Sequence, residues 1–262
     1  MYLFFDTETT GRPRRHDAPA SDVDNWPRLV QIAWLLTDAS GNELRSEGLI
    51  IRPDGFEIPP SATRIHGITT GTARRLGIEL RRALTAFAND LSRAEVLVGH
   101  NVQFDERVVG AEFFRTGQRK NPLDSKTRYC TMRSSRDFCR IPGGPRGYKW
   151  PTLEQLHVAL FGVAFKAAHN AVADVQACAR CFFELERQRV VSGDESPDDD
   201  DELLLEDQDL FDEIYSLAGL CPWFDTGRFV DDVHEQFQNR GFITHAQRDA
   251  LMRIRDMLGE RA

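Results

Sequence analysis

Asp6 and Glu8 flank Thr7 near the N-terminus, in the stretch FDTETTG at residues 5–11. Far downstream, HNAVADV at residues 169–175 sets His169 five residues ahead of Asp174. Between them, HNVQFD at residues 100–105 ends on Asp105. Alternate residues of a strand share a face, so Asp6 and Glu8 should point the same way. Two carboxylates that close raise each other's pKa unless a cation neutralises them. An all-oxygen donor set suits Mg²⁺ or Mn²⁺. A histidine beside such a set, with an unperturbed pKa near 6.5, is free to take a proton from water. The chemistry in view is metal-assisted hydrolysis. Taken singly, the same residues have plainer readings. D-x-E ends a strand and begins a turn, Asp105 and Asp174 favour the positive end of a helix dipole, and His169 is a loop or cap residue.

These residues need elements to bring them together. Residues 2–7 read as a first strand, and the proline-rich, mixed-charge stretch GRPRRHDAPASDVDNWPRL as a long loop. The apolar run 29–38 is short enough for a central strand, and 43–52 returns as its hairpin partner after ASGNE. Helical patterns cover 60–66 and 79–93. A fourth strand is expected at 95–101, a helix at 103–116 and a fifth strand near 127–131. PTLEQLHVALFG, residues 151–162, opens with a capping box of Thr152 and Gln155 and stops at Gly162. A last helix starts at about Asn170, a good N-cap, and runs to about Gln188. The expectation is an α/β fold with a mixed sheet covered on both faces.

In order and separation, the three motifs resemble those of the DEDDh 3′–5′ exonucleases, the DnaQ-like or epsilon-type proofreading family. RIHGIT (64–69), WPRLVQIAW (26–34) and TLEQL (152–156) are similar to further segments of that family, and the resemblance covers about residues 1–190. It implies a ribonuclease H-like, mixed five-stranded sheet flanked by helices and a site for two divalent ions, Mg²⁺ or Mn²⁺. Asp6 would bridge both ions, Glu8 and Asp174 would hold the one that binds the attacking water, and Asp105 would support the second. His169 would be the general base. Thr7, Thr9, Ile65, His66, Asn101 and Phe104 match positions that meet the substrate's last nucleotide, although Ile65 and Phe104 also read as core. The implied reaction is hydrolysis of single-stranded or frayed DNA from its 3′ end to nucleoside 5′-monophosphates, in proofreading or repair. Trimming of RNA ends or short oligoribonucleotides is the alternative within the family. A non-catalytic scaffold for nucleic acid or a polymerase is the alternative outside it.

Composition sets the remaining bounds. With 41% hydrophobic and 28% charged residues the chain is of ordinary globular type. No apolar run approaches the roughly 20 residues that span a bilayer, and the N-terminus reads as a strand, not a signal peptide. Five irregularly spaced cysteines suit reduced thiols, and the expected location is cytoplasmic, with no membrane partner. The net charge of −8 is unevenly spread: residues 192–213 hold 12 acidic and no basic residues, whereas residues 1–191 hold 27 Lys and Arg against 22 Asp and Glu. A mildly basic domain tolerates a polyanionic partner. The expected organisation is an exonuclease domain over 1–191, an acidic linker over 192–206 and a small helical module over 207–262.

Four secondary features have competing readings. Arg12, Arg14 and Arg15, with Arg140, Arg146 and Lys149, either guide phosphate or are solvated surface charge. Cys178 and Cys181 form C-x2-C, which suggests a zinc half-site or, with no second half in the sequence, a buried helix face. DQDLF (207–211) faintly resembles peptides that dock a sliding clamp, and otherwise reads as the first turn of a helix. Phe229, Val233 and Phe237 are spaced as a core stripe, or as a surface for a partner.

Overall fold

A computed structural model describes residues 1–142, 148–165, 170–190, 210–218, 227–240 and 245–261. His169, Arg146, the acidic stretch 192–206 and the first three residues of DQDLF lie outside the described residues. The chain divides into two compact units, Met1–Cys139 with Pro151–Asp194, and Arg140–Trp150 with Glu195–Ala262. Composition groups 140–150 with the first domain; packing groups it with the second unit.

The first unit is built on a five-stranded sheet. Strands β1 (Tyr2–Thr9), β2 (Leu29–Thr37), β3 (Glu43–Ile50), β4 (Val96–Gly99) and β5 (Thr127–Cys130) lie in the order β3-β2-β1-β4-β5. The β1/β2 and β2/β3 pairs are antiparallel, and β4 and β5 continue the sheet in parallel. Every residue of β2 is buried, which explains its unbroken apolar run. Exposed, charged β3 caps one edge. Asp38 closes the β2–β3 hairpin, its carboxylate accepting from the amides of Ser40 and Asn42, with Gly41 at φ +84°.

The period of two in β1 sorts the core into two faces. Leu3 and Phe5 join Trp34, Leu84, Phe87 and Phe113 on one side. Phe4 faces the other way, onto Ala33, Leu35, Val98 and the helix that carries Val175 and Phe182. Helices α1 (Pro60–His66), α2 (Thr70–Leu76), α3 (Leu80–Leu91) and α4 (Val102–Arg115) follow β3 and β4. After β5 come the short α5 (Thr131–Ser134) and α6 (Arg136–Cys139), then α7 (Leu153–Phe161) and α8 (Ala171–Arg187). Truncating Phe4 or Phe87 to alanine should cost about 3–5 kcal/mol, because each is fully buried.

The expected elements form, with ends shifted by a few residues. The capping box is complete: Thr152 accepts from the Gln155 amide while Gln155 accepts from the Thr152 amide, and Gly162 ends α7 at φ +74°. Helices α2, α5 and α6 lack a sequence signal. In α2 only Ala73 is buried, so no apolar stripe marks it, and its start is fixed by the Thr69 side chain accepting from the Thr72 amide. Cys178 and Cys181 are both buried but enter different clusters, Cys178 against the sheet and Cys181 against α7. They therefore do not converge on a zinc ion, and burial raises both thiols, Cys181 to about 12.

The second unit has its own core. Residues 210–218 form α9, followed by α10 (Gly227–Arg240) and α11 (His245–Arg261). Leu210, Phe211, Ile214, Val230, Val233 and Leu251 pack together. The expected stripe is met at Val233 and not at Phe229, and the side chain of Phe237 lies outside the described residues. Phe229 is exposed, and Val230 with Val233 presents the buried side of α10. Leu210 and Phe211, the described end of DQDLF, are buried in this core as the first turn of α9. No helix among the described residues is long and apolar enough to cross a membrane.

Candidate active site

Asp6 and Glu8 leave the same face of β1 as Phe4, toward α8. Asp6 pairs across the sheet with Ala33, and Ala33 with Gly48. This row of small residues lets the first turn of α8 lie close to the sheet. A Cβ on Gly48 would stand 2.3 Å from Cγ2 of Val172. The start of α8 is fixed by Asn170, whose side chain accepts from the amides of Val172 and Ala173. One turn on, Asp174 meets the strand. Asp6, Glu8 and Asp174 each present a ligand oxygen, all within 4.8 Å of one another.

Asp105 reaches the same neighbourhood from the first turn of α4. β4 pairs with β1 only as far as Phe4, and beyond that point Asp105 takes over the edge of β1. Its Oδ1 accepts from the Thr7 amide at 2.9 Å and from the Thr7 hydroxyl at 2.6 Å. Asp105 stands outside the tight trio. Thr7 is thus occupied with orienting a carboxylate.

The sharp turn from β4 into α4 is held at two points. Asn101 sits at φ +67°, a left-handed conformation that Asn tolerates better than most residues. His100 is wedged between the Thr131 hydroxyl at 3.0 Å and the Pro151 carbonyl at 2.9 Å. Burial pushes His100 down to about 4, so at neutral pH it donates from Nε2 to the carbonyl and accepts at Nδ1. It is a structural histidine, not a base. Around the site's rim, Thr9 donates to the Gly11 carbonyl at 2.6 Å. His66 ends α1, accepts at Nδ1 from the Ile68 amide, and interacts with the Thr9 backbone. Phe104 packs against Trp26 with ring centroids 6.3 Å apart. Ile65 is 57% exposed, which removes the core reading for that residue. Arg15 pairs with Asp17 at the surface.

The electrostatics follow from crowding. Burial, then Asp174 and Asp105, raises Glu8 to about 8. Burial, then the charges of Asp105, Asp174 and Glu8, holds Asp6 well above the carboxylate range. Burial raises Asp105 to about 7 even though both Thr7 hydrogen bonds pull the other way. Among the described residues no lysine or arginine lies against Asp6, Glu8 or Asp105. Such a set must either carry protons or hold an external cation, and its oxygens fit a hard divalent ion.

A family model described as Exonuclease, for RNase T and its relatives, matches residues 3–182. Among solved structures, E. coli exonuclease I with a dA16 oligonucleotide is 25% identical with a TM-score of 0.58, covering 72% of this chain and 42% of that one. The zinc-bound form of the E. coli exonuclease I–ssDNA complex is 26% identical with a TM-score of 0.57, covering 72% and 40%. E. coli exonuclease I with a dT13 oligonucleotide is 24% identical with a TM-score of 0.57, covering 83% and 44%. The chain therefore spans well under half the length of these structures. No curated protein matches it.

Proposed function

The chain belongs to this exonuclease family, and from that premise we propose that it is a metal-dependent 3′–5′ exonuclease. It removes nucleoside 5′-monophosphates from single-stranded or frayed DNA. The observation that carries the reading is the trio Asp6, Glu8 and Asp174 within 4.8 Å, with Asp105 beside it. The ssDNA complexes of the exonuclease I structures support the choice of strand.

In this reading Asp6, Glu8 and Asp174 would hold one divalent ion and Asp6 with Asp105 a second, and such ions would supply an activated water and stabilise the leaving 3′ oxygen. Thr7 commits Oδ1 of Asp105, so Oδ2 is the atom that would serve the second ion. His169, just ahead of α8, takes the proton from water. Ile65 and Phe104 flank the terminal base, and His66, Thr9 and Asn101 line the 3′ end. Stacking tolerates any base and is worth about 1–3 kcal/mol each, so sequence preference should be weak. Residues 1–191 form the catalytic domain and 207–262 a helical module, joined by the acidic stretch. The biological setting is proofreading or repair.

The test is digestion of one oligonucleotide labelled at either end, as DNA and as RNA, with Mg²⁺, Mn²⁺ or EDTA. A 3′ label should leave at once as mononucleotide, a 5′ label should shorten stepwise, and EDTA should stop both. Release from the 5′ end, internal cuts or EDTA-resistant cleavage would overturn the proposal. Faster RNA than DNA hydrolysis would change its substrate.

A further inference from the structure

Glu112 is a buried carboxylate that the proposed chemistry does not use. It lies two turns beyond Asp105 on α4 and is 1% exposed. Its Oε1 gathers three donors: Arg28 Nε at 3.0 Å, the Leu29 amide at 2.9 Å and Arg115 Nη1 at 3.0 Å. Ion pairs this deeply buried are weak evidence for stability, since apolar residues of similar volume often serve as well. Where the pair sits is more informative.

The register of β1 on β2 shifts at the carboxylate-bearing end. Glu8 pairs with Gln31 and Thr9 with Leu29, so Val30 is the extra residue of a bulge. The Leu29 amide, at that irregularity, goes to Glu112. Its neighbour Arg28 is locked to Thr10 in both directions, amide to hydroxyl and amide to carbonyl, each at 2.9 Å. Thr10 is two residues from Glu8. Arg115 extends the same node, donating to the carbonyls of Val23, Trp26 and Pro27. Trp26 in turn packs on Phe104, the neighbour of Asp105.

We propose that Glu112 and Arg115 are positioning residues for the carboxylate cluster. Together they brace the bulged end of β2, and with it the end of β1 that bears Glu8, against the helix that bears Asp105. The direct Thr7–Asp105 contact sets one side of this spacing, and the Glu112–Arg115 node sets the other. The inference rests on the metal-dependent reading above.

The test uses the full chain and Mn²⁺. Glu112→Gln keeps the shape and one acceptor but loses the charge that holds two arginines. Mn²⁺ binding is measured by calorimetry, half-saturating Mn²⁺ by oligonucleotide digestion, and folding by Tm. Affinity for Mn²⁺ should fall about tenfold or more, the lower end of what losing an outer-shell partner costs. Higher Mn²⁺ should restore digestion. A lower Tm with unchanged Mn²⁺ binding would mean that the node only stabilises the fold, and would overturn the proposal. Should Glu112→Gln fail to fold, Arg115→Lys is judged by the same two readouts, because it keeps the charge and loses the planar fork that reaches three carbonyls. A wild-type chain that binds Mn²⁺ and digests DNA, beside a variant that does so equally well, defeats the positioning claim alone. A wild-type chain that binds no Mn²⁺ defeats both.

Discussion

Two groups of acidic side chains in the first unit differ in one respect. Asp90, Glu106 and Glu112 are buried and each is met by arginine. Asp90 accepts from Trp34 Nε1 and pairs with Arg45 and Arg93, Glu106 pairs with Arg128 through both oxygens, and Glu112 pairs with Arg28 and Arg115. Asp6 and Glu8, partly buried, and Asp105, buried, have no such partner among the described residues, and they face one another and Asp174. The same residue types therefore serve two ends. Where the fold supplies the cation the carboxylate is a strut, and where the described residues supply none the carboxylates suit a hard divalent ion.

The sharpest way to break this contrast is to neutralise one member of each group. Asp6→Asn should lower nuclease turnover roughly 10⁴-fold, since the metal site supplies several kcal/mol and each 1.36 kcal/mol is tenfold. The metal-free Tm should hold or rise, because a crowded charge is gone. Asp90→Ala should do the reverse, costing about 1–3 kcal/mol of stability by leaving the buried Trp34 Nε1–H without an acceptor and leaving Mn²⁺ affinity intact. A large fall in metal-free stability for Asp6→Asn would erase the distinction. Next in size, His169→Ala should lower turnover by about 10²–10⁴-fold with Mn²⁺ binding retained. Full activity in that variant would remove His169 from the mechanism.

A smaller effect tests how the contrast is built. Gly48→Val should push the start of α8 off the sheet and draw Asp174 away from Asp6 and Glu8. A displacement of about 1 Å costs on the order of 10²-fold in rate. Val172→Ala in the same chain opens the space again and should recover most of it. If the double variant is no better than Gly48→Val, the clash is not what sets Asp174.

Much of this was legible in the residues. The period of two in FDTETTG fixes the shared face of Asp6 and Glu8, and Asn170 marks the helix that brings Asp174. The strand order does not follow from such patterns, because parallel β4 and β5 pair across long connections with only local apolar runs to mark them. Nor does the role of Thr7, whose hydroxyl turns toward Asp105, 98 residues away. Nothing in the sequence marks Gly48, and the packing of Val172 explains it. Nothing in the sequence singles out Glu112 and Arg115, whose partners lie largely in a loop without periodicity. Sequence patterns report which face a residue occupies. They do not report which distant backbone group it will meet.

The last contrast is in how the two groups answer to pH. Glu8 and Asp105 hold protons in the folded chain up to about 8 and about 7, whereas in the unfolded chain they titrate near the ordinary carboxylate values of about 4. The folded state thus binds more protons than the unfolded state between these limits, and stability falls with rising pH wherever that holds. The contribution is fully present below about pH 4 and is lost as pH rises through the folded values of 7 and 8. The metal-free Tm should therefore decline by several degrees between about pH 5 and pH 9. Glu8→Gln should flatten the decline, which separates this cluster from every other titrating group. Saturating Mg²⁺ should also remove it, because the ion replaces the protons, and Mg²⁺ affinity should rise over the same range as binding releases them. If the metal-free wild type and Glu8→Gln give parallel Tm profiles, Glu8 is not held in its neutral form and the site is less crowded than its geometry implies.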